Sequence, residues 1–246
     1  MIKFIIFLTK TIVITVIALL FSSCNHSINF GNGIDGNGTV KTEKRTISEK
    51  FTKIESNRGL EVVVEKADVV DIEVEADSNL LQHITTVVEN GTLVISADED
   101  IDNAEELKVT VKMPLLEGLT ATSGSSIRSK NTLKGTSIKV ESNSGSEIEA
   151  TLEYENIDVE TTSGSTTTLS GKALQLKTTT NSGSQLNAAT LEANEVTSEA
   201  TSGSSSEVHP LVTLNATATS GSSIEYLGTP KNIIKEENSG GSVSKN

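Results

Sequence analysis

The chain has 246 residues, a formal net charge of −13, one cysteine, no tryptophan and only 3% aromatic residues, which fits one medium-sized domain. So acidic a chain offers few cations to neutralise phosphates, which argues against nucleic acid as a partner. A lone cysteine excludes an internal disulfide or a multi-cysteine zinc site. Serine and threonine number 62; these small β-compatible residues stand where a helical protein carries Ala, Glu and Lys, and an all-β fold is expected.

Residues 1–23 read as a lipoprotein signal peptide. Lys3 and Lys10 precede an apolar run from Thr11 to Phe21, and Phe21-Ser22-Ser23-Cys24 joins small residues to the only cysteine, as in a lipobox. The run is short for a bilayer span, so Cys24 is the expected lipidation site, tying the chain to a membrane of the bacterial envelope, expected to be the outer one. Residues 24–45 hold Gly31, Gly33, Gly36 and Gly38 among Asn32, Asp35 and Asn37 and read as a flexible tether. Residues 46–246 are then the folded domain.

Alternation begins early in that domain: Val62 and Val64, Val70, Ile72 and Val74, Leu93 and Ile95, then Leu107, Val109, Val111 and Met113 each stand between polar residues. Gly59, Gly91 and Gly124 are 32 and 33 apart, which suggests longer first coils with excursions. Between them, Asp77-Ser78-Asn79 opens a segment to Ile84 that reads as a short helix covering one end of the domain. Asp98, Asp100 and Asp102 alternate like the start of a calcium loop. The glycine at the sixth position and the glutamate at the twelfth, where Val109 stands, are missing, so this is no EF-hand. Weak calcium binding by residues 98–106 is the one cofactor expectation.

The second half repeats. Ser-Gly-Ser recurs around Gly124, Gly145, Gly164, Gly183, Gly203 and Gly221, with Ser239-Gly240-Gly241 as a seventh variant, at spacings of 21, 19, 19, 20, 18 and 19 residues. Seven positions before each glycine stand Glu117, Ile138, Ile157, Leu176, Val196, Leu214 and Ile233; three after it stand Ile127, Ile148, Thr167, Leu186, Ser206, Ile224 and Val243. Positions four before and four after are polar throughout. Odd offsets apolar and even offsets polar describe strands with one buried face. A single unit cannot bury that face, whereas units stacked about 4.8 Å apart bury continuous columns, which predicts a parallel β-solenoid. The six glycines are then structural turn residues, and the neighbouring serine hydroxyls satisfy backbone groups at each bend.

Catalytic chemistry is sparse. A serine nucleophile needs one special serine with a base and an orienting acid, not near-identical copies. Glu141, Glu147, Glu149, Glu153, Glu155, Asp158 and Glu160 occupy outward positions of two coils and read as a solvated acidic face. His83 and His209 lie far apart without other ligands nearby and read as surface or structural residues. No catalytic residue is identified.

Several of these segments together resemble a known family. Glu43-Lys44-Arg45, Phe51 and Ile54 with Gly59-Leu60-Glu61-Val62, Ala76-Asp77-Ser78-Asn79-Leu80-Leu81, Asn90-Gly91-Thr92-Leu93, the Ser-Gly-Ser repeat and Tyr226-Leu227-Gly228-Thr229-Pro230 are similar to the head GIN domain family of bacterial lipoproteins, also labelled autotransporter adhesins. The resemblance runs from about Gly31 onward. It implies a right-handed, single-chain parallel β-helix on an envelope lipoprotein and carries over no catalytic residue. The expectation is a non-enzymatic adhesin-like or scaffolding surface with a protein or glycan partner. A carbohydrate-active β-helix enzyme and a periplasmic envelope-maintenance protein are the rivals.

Overall fold

A computed structural model describes residues 33–246; the predicted signal peptide and Cys24 lie outside the described residues. Nineteen strands and no helix make up this part. Two columns of parallel strands face each other, and each passage along one column and back along the other is one coil of a β-solenoid of about seven turns.

The regular coils run from Leu133 to Thr219. β12 (Leu133–Ser142), β13 (Glu147–Thr161), β14 (Thr166–Thr180), β15 (Gln185–Ala200) and β16 (Ser205–Thr219) pair in parallel, each with the next. Their register is the repeat: Ile138 opposes Ile157, Ile157 opposes Leu176, and Leu176 opposes Val196. All four are buried, as are Ile127, Ile148, Thr167, Leu186, Ser206 and Ile224 of the second predicted column. Burial alternates along β13 until Glu155-Asn156, two outward residues in succession, where the coil turns its corner.

Every Ser-Gly turn has the same left-handed pair of residues. In the six Ser-Gly-Ser copies the first serine has φ of 54 to 57° and the glycine φ of 68 to 73°. Glycine tolerates this conformation, but a serine there costs about 1 kcal/mol. Stacking offsets the cost, since the Gly124 N–H donates to the Ser144 carbonyl at 3.1 Å and the Gly145 N–H to the Ser163 carbonyl at 3.2 Å. The third residue of each copy is the serine that satisfies the backbone. The Ser125 hydroxyl, buried, lies 2.7 Å from the Ser56 carbonyl one coil away and 2.8 Å from the Thr122 carbonyl of its own turn. Ser165 and Ser222 repeat the arrangement, so these hydroxyls staple neighbouring coils together. Spacings of 20 and 18 leave these turns untouched, because bulges after Thr168, Ala188 and Ala193 absorb them.

In the first half the stacking order departs from chain order. β3 (Lys53–Ser56) lies between β7 (Thr92–Ala97) and β10 (Gly118–Ala121), and β4 (Glu61–Lys66) lies between β9 (Leu107–Met113) and β11 (Ser126–Ser129), all in parallel. The coil containing residues 92–113 is therefore placed outside the one containing 53–66. Antiparallel strands then close this end: β6 (Ile84–Glu89) on β7, β5 (Asp71–Asp77) on β9, and β2 (Val40–Arg45) on β5.

Two expectations change here. Residues 78–83 form turns, with Leu80 and Leu81 N–H groups donating to the Asp77 carbonyl, so the predicted helix does not form and antiparallel strands cover the end instead. The stretch read as a tether is in the fold from Ile34 onward: β1 (Ile34–Asp35) pairs with β8 (Ile101–Asn103), and β2 follows. Asp77, fully buried, anchors both changes. Its carboxylate accepts the N–H groups of Gly38 and Glu105, the latter at 2.8 Å, and a side chain on Gly36 would collide with it.

Burial of Asp77 opposes ionisation, but the N–H groups of Glu105, Gly38 and Glu106 outweigh it and hold the carboxyl below its ordinary 3.8. A carboxyl depressed in the folded state stabilises above pH 3.8, and that contribution is lost as pH falls through the lower folded value. Urea midpoints measured from pH 6 down to pH 2 are expected to fall below about pH 4. In Asp77→Asn the midpoint should be lower at neutral pH and flatter in acid. An acid slope unchanged by the substitution would contradict this role.

Candidate functional site

A groove of about 570 Å³ crosses four coils just beyond the Glu155-Asn156 corner. Its floor is Ile138, Ile157 and Leu176, the aliphatic column, of which no more than 3% of any side chain is exposed. The residues before each floor residue, Ser137, Asn156 and Gln175, make one wall, and those after, Lys139, Asp158 and Lys177, make the other. Strand alternation dictates this: an inward residue is flanked by two outward ones, and parallel register stacks like positions on like.

The walls are ordered along the stack. Asn156 donates to the Ser137 hydroxyl at 3.4 Å and Gln175 to the Glu195 carboxylate at 3.3 Å, so each amide touches the adjacent coil. Lys139 pairs with Glu141 and lies 3.9 Å from Glu160. The hydrogen bond to Glu141, with neighbouring acidic charge, holds its ammonium above the ordinary 10.5. Charge alternates from Lys139 to Asp158 to Lys177, and Glu117 and Glu195 close the groove's ends. Surface pairs of this kind add little stability; their effect is to hold the long side chains in place.

On the other side of the corner is a second concavity of about 480 Å³. It contains Tyr154, whose hydroxyl donates to the Leu116 carbonyl at 2.9 Å. Burial, with the Glu117 charge as a lesser cause, pushes this phenol up to about 12, so it stays neutral. Leu174 and Leu211 stand exposed at its rim.

The acidic residues predicted on the outer faces, Glu141, Glu147, Glu149, Glu153, Glu155, Asp158 and Glu160, are all unburied. Asp98 and Asp100 are engaged elsewhere: Asp98 lies 2.9 Å from the His83 Nδ1, and Asp100 takes the Arg58 guanidinium at 2.9 Å. With Asp102 they form no cluster of three acidic, histidine or cysteine ligands suited to a metal among the described residues. Asp98 and Asp100 thus serve local pairing. His209 meets the Ala189 carbonyl at 3.0 Å. Cys24 lies outside the described residues.

The groove escaped the sequence reading although a signal for it was present. Glu155-Asn156, Leu174-Gln175 and Asn194-Glu195 interrupt the alternation at corresponding places in successive coils. The last coil was also misjudged at one position. Ile233, predicted in the aliphatic column, is 42% exposed, because β18 (Asn232–Asn238) pairs with β16 on one side and no described strand lies on the other.

Comparison with known structures finds the same fold in proteins of Bacteroides and Parabacteroides. A "putative adhesin" from Bacteroides fragilis superposes with a TM-score of 0.81 at 19% identity, covering 87% of this chain and 100% of that one. Another "putative adhesin", from Parabacteroides distasonis, gives 0.72 at 17% identity over 87% and 99% of the two chains. A "putative lipid binding protein" from the same species gives 0.69 at 19%, with the same coverage. At these identities the likeness carries the fold alone. No curated protein matches the chain. The family model described as "Putative auto-transporter adhesin, head GIN domain" matches residues 50–230, well over half of the chain, and the protein belongs to that family.

Proposed function

We propose that this protein is a lipid-anchored, non-enzymatic adhesin-like surface of the bacterial cell envelope. Family membership and the adhesin-named neighbours support the adhesin-like part. The observation that carries the reading is the groove beside the corner. It repeats one pattern on successive coils, an aliphatic floor between a hydroxyl or amide and a charged side chain, rather than gathering unlike groups around one reacting position. Equivalent contacts at a fixed spacing suit multivalent attachment, in which weak contacts sum. The lipobox sequence at Cys24 supplies the anchor in this reading.

Protease treatment of intact cells tests the placement, with a periplasmic protein as control. Digestion of the solenoid domain is expected, together with loss of membrane retention in Cys24→Ala. Protection of the domain on intact cells would overturn the adhesin-like reading and favour periplasmic envelope maintenance.

A further inference from the structure

The geometry points to the groove beside the corner as a binding site for a linear, uncharged polysaccharide lying along the solenoid axis. This inference rests on the adhesin-like reading and names the class of ligand. Its first support is dimensional. Successive coils repeat about every 4.8 Å, close to the length of one linked hexose, so one sugar can meet one coil. The groove volume of about 570 Å³ falls in the range of small-ligand sites and has room for a short oligosaccharide.

Chemistry narrows the class. Asn156 and Gln175 each use one amide N–H toward the adjacent coil. A primary amide has a second N–H and a carbonyl oxygen, and for both residues these have no partner among the described residues. Donor and acceptor side by side on successive coils match the paired hydroxyls of a sugar ring. The opposite wall adds Lys139, Asp158 and Lys177, again donor, acceptor and donor.

Charge and the floor exclude the competitors. Lys139 and Lys177 stand against Asp158, Glu117 and Glu195, so the groove has no positive excess to hold a polyanion, and the chain's charge of −13 repels acidic polymers; the chitosan hexamer in the test below separates a cationic ligand from a neutral one. A polypeptide is held by a free strand edge or by apolar anchors entering pockets. Here the strands lining the groove pair within the stack, and the floor side chains are too well covered to receive an anchor. Sugar rings need hydrogen bonds at regular intervals, and the outward amides and charged side chains of successive coils present them at the coil spacing.

The test is calorimetric titration of the full chain in detergent with cellohexaose, mannohexaose and laminarihexaose. Hexagalacturonate and a chitosan hexamer serve as charged comparisons. At least one neutral hexasaccharide is expected to bind with a dissociation constant of about 1 mM or tighter. The double variant Asn156→Ala with Gln175→Ala should weaken it about tenfold at an unchanged melting temperature, because both side chains are exposed. Glu207→Ala with Glu225→Ala, on the other column of strands, should leave binding intact. Absence of neutral binding, preference for a charged hexamer, or binding indifferent to the groove variant would each overturn the inference. Should the protein be digested on intact cells and bind no neutral sugar, the groove assignment fails alone. Should it bind sugar yet be protected from protease, the surface placement fails alone.

Discussion

Replacing Ile148 by Asp is expected to unfold the domain or to lower its stability by at least about 4 kcal/mol in urea titration. Ile148 is fully buried and stacked on Ile127 one coil below and Thr167 one coil above. A carboxylate there has no cation within reach among these inward residues, so it must be buried unpaired or be protonated at a cost. A domain of this size has only about 5 to 15 kcal/mol in total. Ile148→Val, which removes one methylene, should cost about 1 kcal/mol. Glu149→Ser, one residue along and exposed, should change stability by no more than about 0.5 kcal/mol. The contrast between 148 and 149 tests register directly, since a one-residue slip exchanges the two faces. An Ile148→Asp protein as stable as the parent would refute the stacking.

Converting Lys235 to Ile together with Glu237 to Val is expected to turn a discrete protein into end-to-end assemblies. In register, Lys235 stands on Ala216 and Glu237 on Ala218, both buried core positions of the coil beneath. The last described coil thus carries charges where every earlier one carries small or apolar inward residues. They are not idle: the Lys235 ammonium lies 4.7 Å from the Tyr226 ring centre and donates to the Val243 carbonyl at 3.0 Å, while the Glu237 carboxylate accepts the Val243 N–H. Inward-pointing charge is one of the ways a sheet edge is kept from pairing with another chain. With both charges gone, Ile233 and the two new side chains continue the apolar columns to an open parallel edge. Light scattering after size exclusion should show a shift from one species to concentration-dependent multiples. A double variant that elutes as the parent does at every concentration would show that these charges do not restrain association.

Alternation is a local property, and it made the stacked half readable. Because Ile138, Ile157, Leu176 and Val196 occupy one offset from the turn glycine, the sequence alone determined their shared column, the parallel register and the all-β class, all of which the structure has. The turns were readable for the same reason, although not the division of labour within them: the first serine accepts a left-handed backbone and the third bonds the neighbouring coil. A hydroxyl's partner one coil away is not written in the three residues that hold it.

What only the tertiary structure decided are the features that depend on which strand edges remain open after others have paired. The 92–113 coil lies outside the 53–66 coil because both edges of β3 and β4 accept strands distant in sequence, β7 with β10 and β9 with β11. β2 joins the sheet because β5 offers an antiparallel edge and Asp77 collects the Gly38 and Glu105 N–H groups, so glycine-rich sequence that resembles a tether becomes ordered. The groove arises where four coils turn the same corner, a relation between chains of atoms about 4.8 Å apart rather than between neighbours in sequence. Side-chain alternation follows from covalent geometry and is carried by the sequence; the order of stacking, the closed end and the groove follow from hydrogen-bond edges that exist only once the coils have met.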